Sequence, residues 1–217
     1  MEPGKEYRSA EPNSVQQRAL RIIKGTATFK DRFVPEHDIL VELIRILRSM
    51  GCIIGFTTGV WDLYHIGHPD YIQLGKEKTA ELYPKADHII MVVGVDSDEF
   101  TRQRKGPKRP IVPQDERLRV LGHVRSVDIL TLQYKADQLF KVVQHDVRVI
   151  SHSTADLPGL EIIQQQCAHI VNLPPQAETS TTARIRQLTL DGATGVLVKV
   201  EQVLMAALKG VRDEIEK

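Results

Sequence analysis

The stretch Phe56-Thr57-Thr58-Gly59-Val60-Trp61-Asp62-Leu63-Tyr64-His65-Ile66-Gly67-His68 decides the reading of this chain. An apolar strand runs into a small polar turn at Gly59, an aromatic segment follows, and Pro69 with Asp70 marks a helix start. In an open α/β sheet the ligand crevice lies outside the carboxyl ends of the strands, so this step is a natural phosphate site. Gly59 and Gly67 permit close backbone approach, and the helix expected near His68 offers N–H groups to an anion. His65 and His68 can reach one phosphate, supplying donors suited to charge that grows in a transition state. Alone, the pair also reads as a surface or capping feature, or as half a zinc site, though no compact set of further ligands stands out.

Outward from this stretch, short apolar runs lie at Cys52–Phe56, His88–Val95, Val127–Leu132, Val147–Ile150 and Ile170–Leu173. Helix-like segments separate them. Pro35 opens one carrying Ile39, Leu43, Ile46 and Leu47, and Pro113 with Asp115 and Glu116 opens another carrying Leu118, Val120 and Leu121. The alternation predicts a three-layer α/β/α domain around a mainly parallel five-stranded sheet. The ends read as additions. A short helix over Ser14–Lys24 stops at Gly25, and a final helix over Gly195–Lys217 aligns Val196, Val200, Val203, Leu204 and Leu208 on one face. That face suits either the domain or a second subunit.

The 217 residues carry 29 Lys plus Arg against 28 Asp plus Glu, a net charge of +1 that argues against a general nucleic-acid binder. No apolar run approaches the roughly 18 residues of a membrane span, and Met1–Lys24 lacks the apolar stretch of a signal peptide. Cys52 and Cys167 cannot build a disulfide framework, which points to a reducing cytoplasm. Charge is concentrated locally: Arg102, Arg104, Lys105, Lys108 and Arg109 form either a solvated basic loop or an anion site. Ser180, Thr181 and Thr182 either cap a helix or donate hydroxyls to phosphates.

The histidine segment resembles the signature of the HxGH nucleotidyltransferase superfamily, which includes cytidylyltransferases and adenylyltransferases. Arg104-Lys105-Gly106-Pro107-Lys108-Arg109-Pro110-Ile111, followed by Glu116-Arg117, is similar to its sugar-phosphate branch, especially the adenylyltransferase domain of ADP-heptose synthase. Ser180-Thr181-Thr182-Ala183-Arg184-Ile185 resembles the third family motif, so the resemblance runs from about Ile53 to Leu188. It implies a Rossmann-like nucleotidyltransferase domain over residues 51–189, with a helical extension over 1–50 and a C-terminal helix over 190–217.

The implied reaction is attack by an acceptor phosphate oxygen on the α-phosphorus of a nucleoside triphosphate, with release of pyrophosphate. By this resemblance His65, His68 and Lys105 are the catalytic residues. Thr57, Thr58, Gly59, Gly67, Ser180, Thr181 and Thr182 bind the nucleotide, and Asp62, Arg109, Arg117 and Arg186 serve the acceptor or triphosphate charge. Magnesium accompanies the triphosphate, with Asp62 a candidate neighbour and no other protein metal site. The partners implied are a nucleoside triphosphate, a phosphorylated small molecule and a second copy of the chain, with no nucleic acid and no membrane.

Several positions depart from the branch. Val60 and Trp61 replace the usual cysteine and phenylalanine, and Arg184 competes with Arg186. Ser151-His152-Ser153 stands in place of a Lys-Gly-Gly-Asp-like turn, which leaves base and acceptor open. ATP with a sugar phosphate is favoured, and CTP with an alcohol or sugar phosphate is the alternative. Class I aminoacyl-tRNA synthetases share His-Ile-Gly-His, but no Lys-Met-Ser-Lys-Ser counterpart is present. A non-catalytic nucleotide-binding regulatory protein on the same fold is the remaining alternative.

Overall fold

The computed structural model describes residues 13–152, 167–177, 189–190, 192 and 195–205. The chain forms two compact units, residues 1–177 and 178–217. In the first, five parallel strands follow the sequence readings closely: β1 (Ile53–Gly59), β2 (Ile89–Asp96), β3 (Ile129–Gln133), β4 (Val147–Ser151) and β5 (His169–Leu173). Their order is β3-β2-β1-β4-β5, so the chain reverses direction across the sheet at β1 and β4. A crevice beyond the strand ends at this switch point is where such a sheet takes ligands.

Side chains alternate across the sheet as the period of a strand demands. Ile54 and Phe56 of β1 and Ile90 and Val92 of β2 join one apolar cluster. Met91, Val93 and Val95 join the other, with Val147 and Val149 of β4. The first cluster is covered by α1 (Asn13–Ile23), α3 (His37–Ser49) and α7 (Gln138–Val142), and the second by α4 (Gly67–Leu82) and α6 (Gln114–Gly122). Two covered faces make the expected three layers.

Residues 13–50 pack into the core of the first unit. They read as an extension, yet Val15 and Ala19 of α1 and Leu40, Leu43, Ile44 and Leu47 of α3 are buried in the same cluster as β1 and β2. The i, i+3, i+4 stripe of α3 is therefore one wall of the core. Between the two lies a single turn, α2 (Phe29–Arg32). Helix α1 stops as expected at Gly25, which adopts φ +66° while Thr26 N–H donates to Arg21 O at 2.9 Å. In the second unit residues 195–205 are helical, and Val196, Val200, Val203 and Leu204 are exposed. Leu208 lies outside the described residues. Among the described residues no helix is long and apolar enough to cross a membrane.

Candidate active site

β1 delivers the chain to the switch point, and residues 60–66 carry it into α4. This connection bends through two non-glycine residues in the left-handed region, Trp61 at φ 58° and Leu63 at φ 44°. Such a backbone costs on the order of 1–3 kcal/mol per residue and persists only where the surroundings hold it. They do. The Trp61 indole N–H donates to Gly94 O of β2 at 3.0 Å, and Asp62 Oδ1 accepts from Leu63 N–H at 3.1 Å.

Within this loop the two histidine rings stack, with centroids 4.1 Å apart and planes inclined by 33°. Trp61 meets the His68 ring edge-on at 5.6 Å, and Tyr64 lies at 5.2 Å on it. Each Nδ1 accepts a backbone proton: His65 Nδ1 from Gly67 N–H at 3.2 Å, and His68 Nδ1 from His65 N–H at 3.3 Å. A neutral imidazole accepting at Nδ1 carries its proton on Nε2, so both rings are set as Nε2–H donors. Gly67 is required by this stack. A Cβ there would lie 2.9 Å from Ala177 Cβ and 3.0 Å from the His65 ring.

One expectation is altered. The helix begins at Gly67 and not after His68, and its leading N–H groups are already used, Gly67 N–H by His65 Nδ1 and His68 N–H by His65 O at 2.9 Å. The unpaired N–H groups expected at this helix terminus are thus not offered by Gly67 or His68.

Much of the basic loop is helical. Arg102, Arg104 and Lys105 end α5 (Asp98–Lys105), where cations suit the helix dipole, and Gly106 stops it. Arg102 pairs with Glu99 at 3.4 Å and Arg104 with Asp96 at 2.9 Å. Among the described residues Lys105 and Lys108 have no carboxylate at ion-pair distance, so their charge remains available to a ligand. Desolvation lowers the Lys105 pKa, and the like charges of Arg109 and Arg104 lower it further. Burial raises that of Asp96, against the pull of Arg104, Lys105 and Arg117.

The structure places Asp62 and Arg117 among protein partners. The Asp62 carboxylate is buried and accepts from Ile111 N–H at 3.0 Å and Val112 N–H at 2.9 Å, with Arg109 Nε at 2.9 Å in an ion pair. It anchors the basic loop to the histidine loop. With its oxygens committed it does not fit a magnesium ligand, and among the described residues no three His, Cys, Asp or Glu side chains gather into a metal site.

Arg117 is 2% exposed, not a surface cation awaiting phosphate. It donates to Val60 O, to Val112 O at 2.9 Å, to Asp96 O at 2.9 Å and to Asp98 Oδ1 at 2.6 Å. One guanidinium thereby ties the histidine loop, the end of β2 and the basic loop together. Arg109 remains beside the site through its pairing with Asp62.

The two threonines divide between the faces of β1. Thr57 is buried with Oγ1 3.2 Å from the Tyr71 hydroxyl, so its side chain does not line the crevice as expected. Thr58 is partly exposed, and its Oγ1 accepts from Arg148 of β4 at 2.9 Å. Arg148 was not among the sequence candidates, although a lone arginine inside the apolar run Val147–Ile150 was a signal. Gly59 ends β1 against the Trp61 ring. Ser180, Thr181, Thr182, Arg184 and Arg186 lie outside the described residues, as does Ser153.

Residues 56–187 match the Cytidylyltransferase-like family model. The bifunctional protein HldE of a Nitratiruptor species is 30% identical over 162 residues, covering 73% of this chain and 32% of that protein. HldE of Helicobacter pylori is 30% identical over 167 residues, covering 77% of this chain and 34% of that protein. The chain thus spans about a third of the length of these relatives. Among solved structures, the lipopolysaccharide core biosynthesis protein of Thermoplasma volcanium aligns with a TM-score of 0.45 and 25% identity, covering 57% of this chain and 97% of that one. The family match takes in the histidine turn and β2 to β5, and on that extent the chain belongs to the cytidylyltransferase-like family.

Proposed function

We propose that this chain transfers a nucleoside monophosphate, AMP in the first instance, from a nucleoside triphosphate to a phosphorylated small molecule of the sugar-phosphate class. The observation that carries the reading is the His65–His68 stack, with both Nδ1 atoms accepting backbone N–H and both Nε2–H groups set to donate. An acceptor phosphate oxygen attacks the α-phosphorus, the bond from that phosphorus to the α–β bridging oxygen breaks, and pyrophosphate leaves. The α-phosphoryl oxygens gain charge during this step, and neutral N–H donors fixed in advance stabilise it without reorganising. Lys105 and Lys108 supply positive charge for the triphosphate or acceptor. Ser180, Thr181, Thr182 and Arg186 keep the phosphate roles that their motif implies. Magnesium belongs to this reading as a companion of the triphosphate, without an assigned ligand from the described residues.

The preference for ATP and a sugar phosphate rests on the likeness of the Lys105–Arg109 loop to that branch. CTP with an alcohol or sugar phosphate is the second reading, left open by the departure at Ser151-His152-Ser153. The exposed apolar residues of helix 195–205 support a homodimer. A pyrophosphate-release panel with four nucleoside triphosphates, magnesium and a set of sugar and alcohol phosphates tests the assignment. ATP-dependent release with a sugar phosphate is the expected result. Release with CTP alone overturns the choice of nucleotide, and release with none overturns the activity. In the active combination His68→Ala is expected to lower turnover by about 10²–10³, and near-normal turnover in a folded variant removes His68 from the mechanism.

A further inference from the structure

Arg148 stands in register with Phe56 at the junction of β4 and β1. It is 4% exposed, and its guanidinium carbon lies 4.4 Å from the ring centroids of both Phe56 and Phe140. Its Nη2 donates to Thr58 Oγ1 at 2.9 Å, while Nε and Nη1 are buried without a hydrogen-bond partner among the described residues. Burial pushes the guanidinium pKa down to about 10. Stacking between two rings recovers part of the cost of burying this cation, but no carboxylate among the described residues pairs with it. Its strand neighbours Val147, Val149 and Ile150 are apolar, and a leucine or methionine would pack here without that cost. A stability argument alone therefore does not account for an arginine.

Thr58 supplies the account. Its Oγ1 accepts a charge-assisted hydrogen bond, so its own O–H must donate elsewhere, and no acceptor for it stands among the described residues. The Thr58 methyl packs over Gly94, where a Cβ would lie 2.8 Å from Thr58 Cγ2. Thr58 is partly exposed and immediately precedes Gly59, where β1 ends beside the crevice.

We propose that Arg148 is a positioning residue for phosphate: it holds the Thr58 hydroxyl, directs that hydroxyl's proton into the crevice and backs it with a buried cation that no carboxylate among the described residues pairs with. The proposal deepens the nucleotidyl-transfer reading and rests on it for what the phosphate is attached to.

The test uses the full chain with inorganic pyrophosphate as the probe, binding followed by calorimetry and stability by urea unfolding. Arg148→Met removes charge and donor at similar length. Its urea midpoint is expected to stay or rise while pyrophosphate binds about tenfold more weakly. Thr58→Val leaves the cation and removes the relay, with a similar loss. The double variant should bind no more weakly than Arg148→Met alone, and Arg148→Lys should recover part of the affinity. A lower midpoint with unchanged binding makes Arg148 structural and overturns the proposal, as do additive losses in the double variant. If Arg148→Met does not fold, wild-type binding by Thr58→Val overturns it instead. Failure of the wild type to bind pyrophosphate also overturns it, whereas binding without transfer from any triphosphate overturns the activity and leaves Arg148 in place.

Discussion

Replacing Arg117 by methionine separates two readings of the same residue. If Arg117 held phosphate, Arg117→Met would weaken substrate binding and leave the fold as stable as before. The structure predicts the reverse order of effects. The side chain is 1% exposed and donates to three backbone carbonyls and to Asp98 Oδ1. Methionine fills much of the volume but leaves Val60 O, Asp96 O and Val112 O without that donor, and each buried orphan costs about 1–3 kcal/mol. Relaxation and water entry reduce the total, so about 3–5 kcal/mol is expected, the range found when one partner of a buried ion pair is removed. Against a total stability of roughly 5–15 kcal/mol, that is a large fraction. Urea unfolding followed by tryptophan fluorescence reads it directly, since Trp61 sits in the loop that Arg117 ties down. Arg117→Lys keeps the charge but cannot span all four acceptors, so it should fall between the two. A wild-type urea midpoint in Arg117→Met, combined with weakened triphosphate binding, would refute the clamp and restore the phosphate role.

Three further outcomes follow from the same geometry. Gly67→Ala should lower turnover roughly 10–100-fold by pushing the His65 ring out of its stack; unchanged turnover in a folded protein would show that the stack is not required. Because desolvation and then Arg109 and Arg104 lower the Lys105 pKa, its positive charge is lost at a lower pH than for an ordinary lysine. Activity that depends on it should therefore fall early on the alkaline side, and Arg104→Gln should move that limb to higher pH; a limb that stays in place contradicts the assignment. His145 is buried with its ring nitrogen donating to Val143 O at 2.7 Å, and burial lowers its pKa from 6.5 to about 4. The unfolded chain takes the proton first, so this group's stability contribution is full above pH 6.5 and is lost as the pH falls towards 4. Relative to His145→Gln, the wild type should lose about 2 kcal/mol more between pH 7.5 and 4.5 in urea unfolding, and parallel pH dependences would exclude it.

Strands β1 to β4 were legible because each carries an apolar run largely buried on both faces, and a buried parallel strand has little other way to be written. Their ends were less so. β1 continues through Thr57, Thr58 and Gly59, whose polarity reads as a turn but whose hydroxyls find Tyr71 and Arg148. The role of residues 13–50 was not legible for a different reason. Helical spacing in α3 shows that one face is apolar, but nothing local says whether a sheet, a second unit or another chain covers it. The sheet does, through Ile54, Phe56, Ile90 and Val92.

In the candidate site, the glycine-spaced histidines could be read because their chemistry is local. Gly67 N–H fixes the tautomer of His65 and His65 N–H that of His68, all within four residues. Asp62 and Arg117 could not be read this way. A carboxylate and a guanidinium beside a phosphate motif look like ligand groups, yet their partners lie at Ile111, Val112 and Val60, about 50 residues away in sequence. Both charges are spent on backbone groups of connecting loops. The physical reason is the left-handed course of Trp61 and Leu63. A loop held in that conformation needs anchors stronger than neutral hydrogen bonds, and buried charge-assisted ones are the strongest a side chain offers. Under the proposed nucleotidyl transfer, the charged residues flanking the histidines act through geometry, by holding the imidazole loop in place.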